Sequence, residues 1–143
     1  MTDIEKFFKL YEEGANSFNP DLVTAQFTDV FLGADPNGVV CLRNDESFRK
    51  AIPERQAFFQ QIGFSFAKLI RLVETPLDEH YTMAKVHWQM SFEKEQGKLQ
   101  VFTFFITYFL FRSDAGLKVA FYISHDDEQK VMREAGLIPA TPP

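Results

Sequence analysis

The chain of 143 residues is 45% hydrophobic and 24% charged, and its 20 acidic against 15 basic residues leave a net charge of −5. Those proportions exclude a disordered, collagen-like or low-complexity polymer. The acidic balance, with no basic run, leaves nothing to attract a phosphate backbone or an anionic membrane, so no nucleic acid and no membrane are expected as partners.

Thr2 and Glu5 have the spacing of a capping box, and Ile4, Phe7, Phe8 and Tyr11 recur at helical intervals behind them, with Ala15 and Phe18 extending the stripe. Asn19-Pro20-Asp21 supplies a cap, a first-turn proline and a first-turn acid for a short second helix. Residues 28–34 alternate loosely, Asp35-Pro36-Asn37-Gly38 is a turn, and Val39 to Arg43 returns as a strand. Asn44 or Asp45 caps a third helix with Phe48, Ile52, Phe59 and Ile62 on one face; Pro53 is expected to bend or restart it, and Gly63 ends it.

From Phe64 the hydrophobic period falls to two, giving strands near 64–76, 80–93, 98–112 and 116–124 joined by short turns, an antiparallel meander. Ser124 and Asp127 open a last helix that Gly136 closes. The length fits one domain, expected over 1–137 with a frayed tail at 138–143. The N-terminal MTDIEKFFKLYEEG is charged and helical rather than an apolar leader, and Cys41 is the only cysteine, which together predict a cytoplasmic location. The most apolar run, 101–111, is about half of what a spanning helix needs.

Helix, helix, hairpin, long helix and four-strand meander make an α+β plan in which helices cover one face of a curved antiparallel sheet. This order over roughly residues 2–125, with Phe27-Thr28-Asp29 after the second helix and a closing strand Lys118-Val119-Ala120-Phe121-Tyr122-Ile123, resembles the nuclear-transport-factor-like or SnoaL-like superfamily. The resemblance implies a cone with an internal apolar cavity and a homodimer formed through the outer sheet face. It also implies a choice of functions among isomerases, dehydratases, cyclases, epoxide hydrolases, binding modules and modules that dock phenylalanine-containing peptides.

Seventeen residues are phenylalanine, and the strands say where they go. On the 80–93 strand Ala84, Val86, Trp88, Met90 and Phe92 share a face opposite Lys85, His87, Gln89 and Ser91. The 98–112 strand is apolar on both faces, Val101, Phe105, Phe109 and Phe111 against Phe102, Phe104, Ile106, Tyr108 and Leu110, and so needs cover on both sides. The helices supply one cover; the other is most simply a second copy of the sheet, the alternative being the C-terminal helix folded back over that face. The cavity is expected to hold a small apolar or aromatic molecule among Trp88, Met90, Phe105, Phe109, Phe59, Thr107, Tyr122 and Tyr11; which face of the closing strand lines it stays open.

Laid beside the ketosteroid-isomerase branch, whose chemistry rests on tuned carboxyl pKa values, the chain offers Tyr11 in the place of the tyrosine that donates to a developing oxyanion, and Asp35-Pro36 in the place of the proton-moving aspartate. The branch's third group, a protonated acid, falls near Thr107, where this chain has no carboxylate. Tyr11 is also an ordinary member of its helix stripe, and Asp35 is favoured at a turn for its backbone bond alone. His87 lies on the more polar face of its strand, Asp126 and Asp127 serve as a helix cap rather than with His80 and His125 as metal ligands, and Cys41 reads as a buried inert thiol. Arg43 and Arg71 are single bases on or beside strands. No phosphate loop, nucleophile elbow or zinc spacing occurs, so no cofactor or metal is expected. Three functions remain in view: a small-molecule-binding domain, a cofactor-independent isomerase or lyase using Asp35 as base and Tyr11 as oxyanion donor, and a protein-interaction module.

Overall fold

The computed structural model describes residues 1–139; of the expected frayed tail, residues 140–143 lie outside that range. The elements are α1 (Asp3–Ser17), α2 (Pro20–Thr24), β1 (Phe27–Asp35), β2 (Gly38–Arg43), α3 (Glu46–Gln61), β3 (Phe64–Pro76), β4 (Tyr81–Glu95), β5 (Lys98–Ser113), β6 (Gly116–Ser124) and α4 (Glu128–Glu134). Ile138 still packs on the core, with its N–H donated to the Met132 carbonyl at 3.4 Å. No helix among the described residues is long and apolar enough to cross a membrane.

Local chemistry sets the helix ends. Thr2 closes a capping box with Glu5, Asn19 caps α2, and Asp45 caps α3 by accepting the Phe48 N–H. Asn44 does different work, donating to the carbonyls of Thr24 and Phe27 and so tying α2 to β1. α3 runs unbroken through Pro53. Phe18 ends α1 in the left-handed region, φ 55°. That conformation is costly for a bulky residue; here its buried ring is held against Phe59 and Phe64, with centroids 5.8 and 5.9 Å away.

One six-stranded sheet has the order β2-β1-β6-β5-β4-β3. The expected meander β3 to β6 is antiparallel throughout. β1 lies parallel to β6, a pairing with no short-range signal in the sequence, which needs a long crossover, here β2, α3 and strands β3 to β5. Helices α1 to α4 lie over one face, and the buried side chains form two clusters. Phe8, Phe31, Trp88 and Tyr108 belong to one with α1; Phe59, Phe92, Phe104 and Met132 belong to the other with α3 and α4.

The register of β4 with β5 settles which half of β5 is internal. Glu95 pairs with Lys98 across the Gln96-Gly97 turn, but the register shifts between Phe92 and Glu95, so that Trp88 faces Phe104, Val86 faces Ile106 and Ala84 faces Tyr108. An uninterrupted two-residue hairpin would have set Trp88, Val86 and Ala84 opposite Phe105, Thr107 and Phe109. A one-residue slip exchanges the two faces of a strand. Phe105, Thr107 and Phe109, expected in the cavity, therefore stand on the outer face.

Gly63 closes α3 onto this irregular corner. Its φ is +79°, and a Cβ there would lie 2.4 Å from the Glu93 carbonyl oxygen, while its own carbonyl accepts the Glu93 N–H at 2.7 Å. Gly63→Ala is expected to cost about 2 kcal/mol or more of unfolding free energy, measured as a lower urea midpoint with an unchanged slope.

Candidate functional site

Between the helices and the inner sheet face lies a chamber of about 1040 Å³. Of the residues singled out from sequence, Tyr11, Asp35, Trp88, Met90, Phe59 and Tyr122 line it. Phe105 is 41% exposed on the far face, its ring stacked on His87 at 4.1 Å. Phe109 packs there against Phe121 at 5.4 Å. Thr107 is buried on the same outer side, hydrogen-bonded to His125 Nε2 at 2.7 Å. Cys41, expected to be buried, is exposed on the edge strand β2.

The floor of the chamber is aromatic and neutral. Trp88 Nε1 donates to the Tyr108 hydroxyl at 2.9 Å, and Tyr11 lies against both rings, with centroids 6.0 Å from Trp88 and 5.2 Å from Tyr108. An indole N–H only donates, so the Tyr108 oxygen accepts there and its own proton is turned towards Tyr11, the phenol beside it. Burial pushes both phenols well above the ordinary tyrosine value, so both are hydrogen-bond donors at neutral pH.

The mouth is charged. Asp35 sits at its rim, exposed, with Oδ1 accepting the Asn37 N–H at 2.8 Å in the turn role its sequence context allows. Asn37 Nδ2 reaches across to Asp127 Oδ2 at 2.9 Å, joining the β1–β2 turn to the cap of α4. Tyr122 points inward over Gly33, whose missing side chain makes the room: a Cβ at Gly33 would fall 2.6 Å from the Tyr122 hydroxyl. Arg55 stands over the Phe59 ring, 4.5 Å from its centroid.

Glu128, which the sequence gives only as the first residue of a capped helix, proves to be a chamber carboxyl. Its Oε2 lies 2.7 Å from Ser124 Oγ, which lies 3.0 Å from the Asp126 carbonyl. A serine hydroxyl has one proton, and a carbonyl oxygen can only accept. The Ser124 hydroxyl is the donor in both contacts, so its single proton is shared between the Glu128 carboxyl and the Asp126 carbonyl. Burial pushes the Glu128 carboxyl above its ordinary value; Ser124 and Arg55 pull it back, and Asp126 and Asp35 add to the rise. Arg55 and Gln26, also in the wall, carried no sequence signal beyond an exposed-looking helix position and an interelement position.

The profile of the family described as NTF2-like protein (DUF6841) matches residues 2–127. The chain belongs to the NTF2-like family. No functionally curated protein matches the sequence. Among solved structures, the NTF2-like chain is similar to Aln2 from a Streptomyces species, at 14% identity and a TM-score of 0.71 over 92% of this chain and 93% of that one. It is similar also to an NTF-2-like protein of unknown function from Shewanella oneidensis, at 16% identity and 0.65 over 87% and 97%. A protein with a cystatin-like fold from Nostoc punctiforme matches at 10% identity and 0.68 over 87% and 89%. At such identities the likeness shows the shared fold, an α+β cone.

Because the folded NTF2-like chain favours protonated Glu128, the linkage has a definite sign. The penalty for ionising this carboxyl is absent below the ordinary glutamate value and complete above the raised one. Stability is therefore expected to fall as pH rises through that interval. Glu128→Gln, measured by urea unfolding at a series of pH values, should flatten that fall and equal or exceed the parent at pH 8.

Proposed function

We propose that the cone is a binding chamber for one small, largely apolar or aromatic molecule. The observation that carries this reading is the chamber itself: a volume at the upper end of ordinary ligand pockets, ~300–1000 Å³, with walls such as Phe31, Phe59, Met90, Phe104 and Ile106 and with few polar groups apart from a phenolic floor, a charged mouth and Gln26. Walls of this kind reward apolar area and discriminate through a few placed polar groups. Trp88 is the chain's single tryptophan and lies in the wall, so its emission reports occupancy directly. Titration with 2-methylnaphthalene is expected to give a saturable change in that emission, weakened in Ile106→Phe, which intrudes a ring into the chamber; no change at saturation would overturn the reading.

A second reading, proton transfer on a ketone, is favoured by one observation: Tyr11 and Asp35 open into the same chamber. Asp35 would move the proton and Tyr11 would donate to the developing oxyanion. Asp35→Asn should then abolish isomerisation of a β,γ-unsaturated ketone while leaving its binding measurable, and unchanged turnover refutes the assignment.

Self-association through the outer sheet face completes the proposal. It is supported by the apolar side chains exposed there, Phe66, Tyr81, Val101 and Phe105 among them, which a monomer would leave in water. Phe105→Glu is expected to halve the mass measured by sedimentation equilibrium; a mass unaffected by the charge removes this interface.

A further inference from the structure

Tyr122, on the closing strand, is registered opposite Gly33 across the parallel pairing of β1 with β6. Its ring lies over that glycine, with the hydroxyl oxygen 2.6 Å and Cζ 2.8 Å from where a Gly33 Cβ would stand. The place of the hydroxyl is therefore set by its neighbour: it rests on bare backbone that is itself part of the chamber wall, and a side chain at position 33 would take its space.

The hydroxyl has no hydrogen-bond partner among the described residues, yet it is not sealed in. The buried side-chain polar atoms there that lack a partner are Gln26 Nε2 and Arg133 Nε, and Tyr122 Oη is not one of them. A tyrosine in apolar surroundings ordinarily finds a partner for its O–H, and the chamber is the space this one opens into. Burial raises the Tyr122 phenol above the ordinary tyrosine value, Arg55 pulls it back, and Glu128 and Asp35 add to the rise. At neutral pH the hydroxyl keeps its proton and is free to donate it in a hydrogen bond.

The surroundings decide what it donates to. Asp35 follows Gly33 by two residues on the same face of β1, roughly 7 Å along the strand, and both line the chamber. A carboxylate ligand placed on the phenol would meet the Asp35 charge, and an ammonium has no lone pair to offer. A neutral carbonyl oxygen has the lone pair without the charge. Tyr11 belongs to the floor, in contact with Trp88 and Tyr108, whereas Tyr122 belongs to the strand beside Asp35.

We propose that Tyr122 is the carbonyl-binding residue of the chamber, holding a neutral, ketone-type oxygen of an otherwise apolar or aromatic ligand above Gly33 and beside Asp35. The proposal rests on the binding reading above and narrows it to a ligand class. It also moves the donor of the proton-transfer reading from Tyr11 to Tyr122.

Three probes of one ring size separate the possibilities: 2-acetonaphthone, with a neutral carbonyl; 2-naphthoate, with an ionised one; and 2-methylnaphthalene, with no acceptor. Dissociation constants are measured by calorimetry and checked by Trp88 emission on the full chain, on Tyr122→Phe, which keeps the ring and removes the hydroxyl, and on Tyr11→Phe. The expected result is that acetonaphthone binds the parent tighter than naphthoate and loses roughly tenfold in Tyr122→Phe, where methylnaphthalene is unchanged. No loss for acetonaphthone in Tyr122→Phe, an equal loss for methylnaphthalene, or a loss confined to Tyr11→Phe overturns the assignment and leaves the chamber standing. Naphthoate binding tighter than acetonaphthone overturns the ligand class. If no probe binds the parent, the binding reading falls and the assignment with it. Should Tyr122→Phe fail to fold, Gly33→Ala keeps every hydroxyl and displaces this one; an acetonaphthone affinity equal to the parent's then overturns the proposal.

Discussion

Strand β5 is apolar on both faces, and a strand of that composition has no preference of its own for which side goes in; the choice is made for it by the backbone irregularity between Phe92 and Glu95. Gly63 makes the irregular corner possible, because only a residue without Cβ lets the end of α3 come so close to the Glu93 carbonyl. Once the slip is in place, Phe104, Ile106 and Tyr108 join Trp88 and Val86 inside, and the phenol–indole pair that floors the chamber is formed. Phe105 and Phe109 are sent outward by the same step. The excess of phenylalanine is thus divided between an interior that surrounds a cavity and an exterior that is left apolar.

What was legible in the sequence was what local chemistry decides. The capping box at Thr2, the Asn19-Pro20 start, the Asp35 to Gly38 turn and the alternation on β4 each specify their own geometry within a few residues, and all appear where expected. The parallel pairing of β1 with β6 was not legible, since no short-range pattern links residues some ninety positions apart. In the site, Trp88, Met90 and Phe59 were found because their strand and helix have one apolar face; Tyr11 and Asp35 came from the resemblance to the ketosteroid-isomerase branch, and Tyr122 was named on a strand whose inward face composition left open. Phe105, Thr107 and Phe109 were misplaced because the parity of β5 is fixed by a bulge and not by its composition. Glu128 and Gln26 were missed for a different reason: a glutamate at the start of a helix and a glutamine between two elements are what solvent-exposed positions ordinarily carry.

The chamber has two electrostatic regimes. At the floor, Trp88, Tyr108 and Tyr11 form a chain of neutral donors whose polarity is fixed from the indole outward, so this end is committed to accepting lone pairs. At the mouth, Arg55, Asp35, Asp126, Asp127 and Glu128 crowd into one rim, and the protonation of Glu128 relieves part of the repulsion among the acids. A ligand lying along the chamber would pass from a region where charge is penalised to one that carries an excess of negative charge around a single arginine.

The Asn37–Asp127 bond, described above as the join between the β1–β2 turn and α4, bears on how easily the rim parts from the rest of the fold. Both residues are near the surface, and a hydrogen bond so placed contributes only about 1 kcal/mol. Separating them disturbs no rung of the sheet and no side chain of either core cluster. The rim and the interior therefore have unequal strengths: this bond can part without drawing on the free energy that keeps the protein folded.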